Sequence, residues 1–221
     1  MDHTTIERVP EVRNHWWWRP GWREGRHYYA CHLSFEDQPE LHSLVDRYQE
    51  ALKTFPVLDL IPRPWLHLTM QGIGFTDEIS NEMVEKIEDA VRSELRRTTP
   101  PVVTFHRPVI VPEAIYLPAV PATQIQELRA ACRTAITTAQ AIEPDSRPYR
   151  PHVSVAYVNT ESATEHIAQA LDMIDADPVE VTLSHVSLMV FHRDRRMYEW
   201  TKAIHIPIGS PRLPHRAIHY L

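Results

Sequence analysis

Two short stretches of the sequence combine a histidine with a hydroxyl residue two positions later. They are His67-Leu68-Thr69-Met70 and His152-Val153-Ser154-Val155. Because side chains alternate between the two faces of a β-strand, each histidine would share a face with its hydroxyl partner, while the apolar residues would point into a core. Two such units facing each other predict a site for acid–base chemistry on a phosphodiester.

Imidazole suits this chemistry because its unperturbed pKa is about 6.5, so both protonation states are accessible at neutral pH. A neutral imidazole would take a proton from water or a hydroxyl, and an imidazolium would give one to the leaving oxygen; such catalysis is typically worth about 10²–10⁴ in rate. We expect Thr69 and Ser154 to bind the non-bridging phosphate oxygens. Metal ligation by His67 and His152 is the less favoured alternative, since neither stretch contains Asp or Glu and no HExxH motif occurs.

The same pattern occurs elsewhere among the 14 histidines, so the flanking residues must decide. His32-Leu33-Ser34-Phe35 and His185-Val186-Ser187-Leu188 also fit it. His67 and His152 each follow a proline-containing loop, and proline is tolerated at the start of a strand but not in its middle. They would therefore lie where a site can be open. The alternative is that all four histidines are structural. His32 and His185 would also be able to line the same cleft.

Composition limits the class of protein. A chain of 221 residues can form one sizeable domain or two small lobes. Its net charge of −6 argues against a surface for long duplex nucleic acid, but not against a pocket for a nucleotide or a strand end. Two cysteines and the lack of an apolar leader or span predict a reduced, cytoplasmic protein without a membrane partner. Neither GxGxxG nor GxxxxGK[ST] occurs.

Hydrophobic periodicity predicts an α+β fold. We expect helices over residues 38–53, 77–97, 122–142 and 162–174, and strands over residues 27–35, 65–75, 102–111, 114–120, 152–158, 179–191 and 197–206. Asp77 or Thr76 is the expected N-cap of the second helix. Because the second half loosely repeats the first, we predict one domain of two similar lobes over residues 27–206, with an arm over residues 1–26 and a proline-rich tail over residues 207–221.

The predicted arm is locally basic and rich in tryptophan. It contains Trp16, Trp17, Trp18, Trp22, Arg8, Arg13, Arg19, Arg23 and Arg26. Aromatic residues interleaved with arginines can stack bases and attract phosphates. Alternatively, the indoles pack against the domain and cover apolar surface. We favour packing, with one or two residues reaching the rim of the cleft.

The residues around the two histidines resemble the signatures of the two-histidine phosphoesterase superfamily, and more narrowly its branch of 2′-5′ RNA ligase-like proteins and cyclic phosphodiesterases. The matching stretches are Tyr28-Tyr29-Ala30, Trp65-Leu66-His67-Leu68-Thr69-Met70 and Tyr149-Arg150-Pro151-His152-Val153-Ser154-Val155. The resemblance implies a bilobal fold of two pseudo-symmetric lobes, each mainly antiparallel sheet, with helices outside and a central cleft. It also implies that His67 and His152 are catalytic and that Thr69 and Ser154 bind phosphate.

The resemblance further implies a phosphodiesterase that hydrolyses, or reversibly forms, a 2′,3′-cyclic or 2′-5′ phosphodiester of a nucleotide or RNA end. Arg150, on the strand face of His152, would contact a phosphate through its guanidinium fork, although a solvated arginine fits equally well. Tyr149 and Tyr29 are further candidates for substrate contacts. We expect a monomer without metal or cofactor. A non-catalytic module that binds nucleotides, and a phosphodiesterase for a non-RNA cyclic phosphate, stay open as alternatives.

Overall fold

Two four-stranded antiparallel sheets dominate the computed structural model, which describes residues 5–141 and 149–209. The strands in chain order are β1 (Glu11–Val12), β2 (Tyr28–Ser34), β3 (Leu58–Leu60), β4 (His67–Phe75), β5 (Val102–Phe105), β6 (Val109–Val111), β7 (Ala114–Pro118), β8 (His152–Val158), β9 (Ser162–Ala163), β10 (Val179–Thr182), β11 (His185–His192) and β12 (Glu199–Pro207). The helices of the described part are α1 (Pro39–Leu52), α2 (Asn81–Leu95), α3 (Ala122–Gln140) and α4 (Glu165–Asp172), with a 3₁₀ turn at Arg63–Trp65.

The strand order places the two candidate histidines in different sheets. The first sheet runs β12-β11-β2-β4 and the second runs β3-β8-β7-β6, while β1 pairs with β9 and β5 with β10 in two short ribbons. His67 begins β4 at an edge of the first sheet, and His152 begins β8 inside the second. Strands β4 and β8 contact each other, so the sheets meet along the two strands that carry the histidines.

Two helices link the two four-stranded sheets, because each follows a strand of one sheet and packs against the other. Helix α1 follows β2 of the first sheet but contacts β3 and β8 of the second. Helix α3 follows β7 of the second sheet but contacts β4 and α2. The buried apolar side chains of both sheets and all four described helices form one continuous core. Because burial of apolar surface drives folding, this shared core holds the lobes in a fixed relation.

The predicted α+β class and antiparallel sheets are confirmed, whereas several element boundaries are wrong. Residues 102–111 form two strands instead of one, because Pro108 between them has no N–H for a ladder. Residues 179–191 are likewise divided into β10 and β11. Helix α2 begins at Asn81 with Ser80 as its N-cap, whose side chain accepts from the backbone N–H of Met83, so neither Asp77 nor Thr76 caps it.

The segment before β2 runs from the second sheet to the first. Its backbone bonds to the second sheet, with the N–H of Arg13 donating to Pro112 O (2.7 Å) and the N–H of His15 donating to Val158 O (2.8 Å). It then crosses to the first sheet, where Trp22 packs edge-on against Phe75 (centroids 5.2 Å apart). Residues 1–4 of the predicted arm and 210–221 of the predicted tail lie outside the described residues, and the division into arm, domain and tail stays a prediction.

None of the helices in the described ranges combines the length and the apolar character that a membrane crossing demands.

Candidate active site

His67 and His152 line one cavity of about 790 Å³ that has walls from both sheets. Two further walls come from the segment before β2 and from Tyr198, directly before β12. The residues of the first sheet in this cavity include Tyr28, Ala30, His32, Thr69, Gly72, Phe75 and Phe191, and those of the second include Ala114, Ser154 and Tyr157. The two histidine stretches thus meet at one site, as their pairing in the sequence predicted.

The two imidazoles are held in the same way. Nδ1 of His67 lies 2.8 Å from Trp65 O, and Nδ1 of His152 lies 2.7 Å from Arg150 O. A carbonyl oxygen can only accept, so Nδ1 donates in both cases and the neutral rings carry their lone pair on Nε2. Each ring is therefore oriented by the residue two positions before it, with Nε2 free of this contact and able to accept or release a proton.

Burial shifts both histidines toward the neutral form. Burial lowers the pKa of His67 to about 4, the backbone carbonyl of Trp65 opposes this shift, and the neighbouring His152 adds to it. Burial likewise lowers the pKa of His152, with Arg150 O opposing the shift. Since burial disfavours the charged form of an imidazole, both rings are neutral in the free protein at neutral pH. An anion between them would favour protonation of one ring.

The hydroxyl partners lie in the cavity as alternation requires. Thr69 is exposed to it, whereas Ser154 is buried beside Tyr157, whose pKa the serine hydroxyl lowers and burial raises more strongly. The apolar residues of both stretches point into the core, as predicted; Leu68, Met70, Val153 and Val155 are each at most 1% exposed. Each stretch therefore presents an imidazole and a hydroxyl to the same space.

A β-bulge adds Tyr157 to the site. Tyr116 pairs with Ser154, but Ile115 pairs with Ala156, so Val155 is an extra residue in β8. One extra residue reverses the alternation that follows it, so that Tyr157 lines the cavity while its ring remains buried against the core. Simple alternation from His152 excludes this position, so the sequence pattern misses Tyr157.

Bulges have a similar effect in β4. His32 pairs with Thr69 but Cys31 pairs with Gln71, so the register shifts and Gly72 faces the cavity. A Cβ at Gly72 would lie 2.9 Å from the hydroxyl oxygen of Tyr28, so the glycine lets the tyrosine ring lie against the strand.

The second pair of histidine strings is divided between two environments. His32 is buried in the cavity wall with its ring 4.8 Å from that of His67. His185 lies outside the cavity lining. The hydroxyl of Ser34 lies 3.3 Å from Nε2 of His185 and 2.9 Å from the hydroxyl of Ser187. The first therefore reaches the cleft and the second belongs to a hydrogen-bonded network within the sheet.

The weaker candidates lie beside the cavity and not in its wall. The side chain of Arg150 is 79% exposed with Glu7 as its ion-pair partner at 3.9 Å, its carbonyl oxygen accepts from His152, and a phosphate contact of its guanidinium stays a prediction. The hydroxyl of Tyr149 donates to Thr69 O (2.8 Å) and supports β4 from behind. Tyr29 packs against the core, and Tyr28 takes the position in the cavity.

Side chains from the segment before β2 complete the site. His15, Trp17, Arg19, Pro20 and Trp22 line the cavity. Nε2 of His15 lies 3.0 Å from the hydroxyl of Tyr198, whose ring is 5.8 Å from that of His67. The cluster of tryptophans and arginines was the available signal for these residues, although composition alone did not say which of them face the cleft.

Among the described residues, no three His, Cys, Asp or Glu side chains are grouped as a metal site would require.

Comparison with known proteins assigns the family. The model of the 2′-5′ RNA ligase superfamily matches residues 35–195. Similar solved structures include TT0787 of Thermus thermophilus (TM-score 0.58, 17% identity, 82% of this chain and 97% of that chain). E. coli LigT complexed with 3′-AMP is also similar (TM-score 0.56, 15% identity, 82% of this chain and 98% of that chain). So is the MHV ns2 PDE domain (TM-score 0.54, 11% identity, 81% of this chain and 99% of that chain). No curated protein matched the sequence.

Proposed function

Because the chain belongs to the 2′-5′ RNA ligase superfamily of two-histidine phosphoesterases, we propose that it hydrolyses a 2′,3′-cyclic or 2′-5′ phosphodiester of a nucleotide or RNA end, or forms such a bond in reverse. One observation carries the proposal. Two imidazoles on different sheets line one cavity, each held through Nδ1 by a backbone carbonyl and each accompanied by a hydroxyl. This arrangement supplies a base, an acid and hydrogen-bond donors without any further group.

The reaction follows from these roles. In hydrolysis of a cyclic ester, one neutral imidazole takes a proton from water as the water oxygen bonds to phosphorus. The other ring, protonated beside the phosphate anion, gives its proton to the ribose oxygen as the phosphorus–oxygen bond breaks. Thr69 and Ser154 donate to the non-bridging oxygens, where negative charge grows in the transition state. The products are a phosphate monoester and a free ribose hydroxyl.

A nucleotide fits the remaining walls. Pockets for small molecules are commonly about 300–1,000 Å³, apolar and aromatic with a few placed polar groups. The cavity of about 790 Å³ has such walls: Tyr28, Phe75 and Phe191 supply aromatic surface, and the Arg19–Glu113 ion pair lies in the lining. We therefore propose a nucleotide or RNA end as the partner, without a membrane or long duplex, and a cytoplasmic monomer as the working form.

A substrate screen in the presence of EDTA tests the proposal. We expect turnover of nucleoside 2′,3′-cyclic phosphates or of 2′-5′ dinucleotides, with 3′-5′ dinucleotides and 3′,5′-cyclic nucleotides resistant. Separation of 2′- and 3′-monophosphates by chromatography identifies which bond breaks. Tight binding with no product would show a binding module instead, and turnover that stops on chelation would contradict the metal-free scheme.

The pH dependence should separate free and bound enzyme. Catalysis requires one protonated and one neutral imidazole, and burial lowers the pKa of both rings below 6.5 in the free protein. The alkaline limb of kcat/KM reports the loss of the proton from the acidic imidazole in the free enzyme. We expect the midpoint of this limb to lie below pH 6.5. The limb of kcat should lie at higher pH, because the bound phosphate anion raises the pKa of its neighbour. Initial rates from about pH 4 to about pH 9 measure both limbs, and coincident limbs would contradict the expectation.

A further inference from the structure

A rigid turn of the N-terminal segment enters the catalytic cavity. In Arg19-Pro20-Gly21-Trp22 the N–H of Trp22 donates to Arg19 O (3.0 Å), and Gly21 has φ +82°. Proline second and a glycine of positive φ third are the sequence requirements of a type II turn. A Cβ on Gly21 would also lie 2.7 Å from Phe75, so the site admits only glycine without rearrangement. The turn is therefore encoded locally and positions both of its end residues.

Trp22 extends a group of aromatic rings that begins beside the catalytic histidines. It stacks on Tyr28 (centroids 5.5 Å apart, planes at 28°) and lies 5.5 Å from Phe191. Phe191 is 5.5 Å from His32, which is 4.8 Å from His67. Trp22 and Tyr28 are only half-buried and both line the cavity. The rings of Trp22 and Tyr28 thus offer an aromatic surface in the cavity, with Phe191 and His32 between Trp22 and His67.

Glu113, in the turn between β6 and β7, fastens the segment at the opposite wall. Its carboxylate accepts from Arg19 (2.8 Å), Arg13 (3.2 Å) and the indole N–H of Trp17 (3.3 Å). The side chain of Glu113 is only 18% exposed. Since the segment is fixed to one sheet by Glu113 and to the other by Trp22, it presents its side chains without a large ordering cost on binding.

We propose that the Arg19–Trp22 turn is the nucleobase-binding element of this enzyme. Trp22, together with Tyr28 and Phe191, contacts the base of the nucleotide whose phosphate lies between His67 and His152, while the Arg19–Glu113 ion pair holds the turn in place. This inference rests on the proposed function and adds to it a preference for base-bearing substrates. The turn lies before the residues that the family model matches, 35–195, so the assignment comes from the contacts of this chain alone.

The test compares a nucleotide with an analogue that lacks the base. Adenosine 2′,3′-cyclic phosphate and methyl riboside 2′,3′-cyclic phosphate share the reacting group. We expect Trp22→Ala to raise KM for the nucleotide by about tenfold, the scale of one stacked base, with kcat changed by less than about twofold. KM for the base-free analogue should stay unchanged. Trp18→Ala is the matched control, because Trp18 is 51% exposed and outside the cavity lining.

Two further variants keep the result decisive. Trp22→Phe preserves an aromatic face and should restore most of the affinity, whereas Trp22→Leu preserves apolar packing only and should behave like Trp22→Ala. Equal changes for both substrates, or a loss of kcat with unchanged KM, would show a purely structural tryptophan and overturn the proposal.

Direct binding separates this proposal from the proposed catalysis. If the wild-type protein turns over neither substrate, calorimetry with 3′-AMP and with ribose 3-phosphate still tests the pocket. Tighter binding of 3′-AMP that Trp22→Leu abolishes would support the base site while refuting the catalytic assignment. Equal affinity for the two ligands would overturn the base site.

Discussion

Replacement of either His67 or His152 by asparagine should lower kcat/KM by about 10²–10⁴ while leaving the fold intact. The asparagine amide can occupy the place of Nδ1 and donate to Trp65 O or Arg150 O, so the local backbone contact survives. It has no counterpart of Nε2, the atom that exchanges protons with the substrate in the proposed reaction. Rates on a 2′,3′-cyclic phosphate, with thermal unfolding as the folding check, measure both effects.

His166→Asn is the matched control, because His166 is an exposed residue of α4 outside the cavity lining. It should retain the full rate. The double variant of His67 and His152 should be little worse than either single variant, since residues that act as a unit are strongly non-additive. A single variant that keeps more than about a tenth of the activity would remove that histidine from the proton-transfer scheme.

The pairing of the two histidine stretches was predictable because it depends on local rules. Alternation in a strand puts Thr69 with His67 and Ser154 with His152, and the buried residues between them follow the same rule. Prolines before each stretch marked the strand starts. The tautomer of each ring was not predictable, because the accepting carbonyls, Trp65 O and Arg150 O, depend on the path of the preceding loop.

Residues that depend on register or on long-range packing could not be derived. Tyr157 reaches the cavity only because Val155 is an extra residue in β8, and single-residue bulges have no reliable sequence signal. Ser80 instead of Asp77 caps α2, and Asp77 accepts from Arg26 (2.7 Å), a partner 51 positions away. Cap residues compete for several partners, and the fold decides between them.

The tryptophan-rich segment shows why composition left two interpretations open. Trp16 serves packing, since its indole donates to Asp59 (2.8 Å) and its ring lies against Tyr157. Trp17 and Trp22 line the cavity, and Trp18 is mostly exposed. Stacking on a base and packing on a domain require the same flat apolar ring, so only the path of the chain separates them.

Mild acid should destabilise the protein, because the folded chain buries several histidines in their neutral form. Burial lowers the pKa of His15 to about 3 and that of His67 to about 4, and it lowers the pKa of His32 well below 6.5. Between pH 6.5 and pH 4 the unfolded chain therefore binds protons that the folded protein excludes. The contribution of these histidines to the unfolding free energy is fully present above pH 6.5. It is lost as the pH is lowered through this window. His15 and His67 each contribute on the order of 3 kcal/mol to the loss at the acid end, and His32 adds to it in the same direction.

Urea unfolding at a series of pH values measures this loss as the slope of the unfolding free energy against pH. Each excluded proton adds about 1.4 kcal/mol per pH unit to the slope. His32→Leu removes one of the three histidines named above without adding a polar group and should flatten the slope by up to one proton. His166→Leu, at an exposed position, should leave it unchanged. An unaltered slope in His32→Leu would mean that His32 is protonated in the folded protein over this pH range, which would contradict the lowering of its pKa by burial.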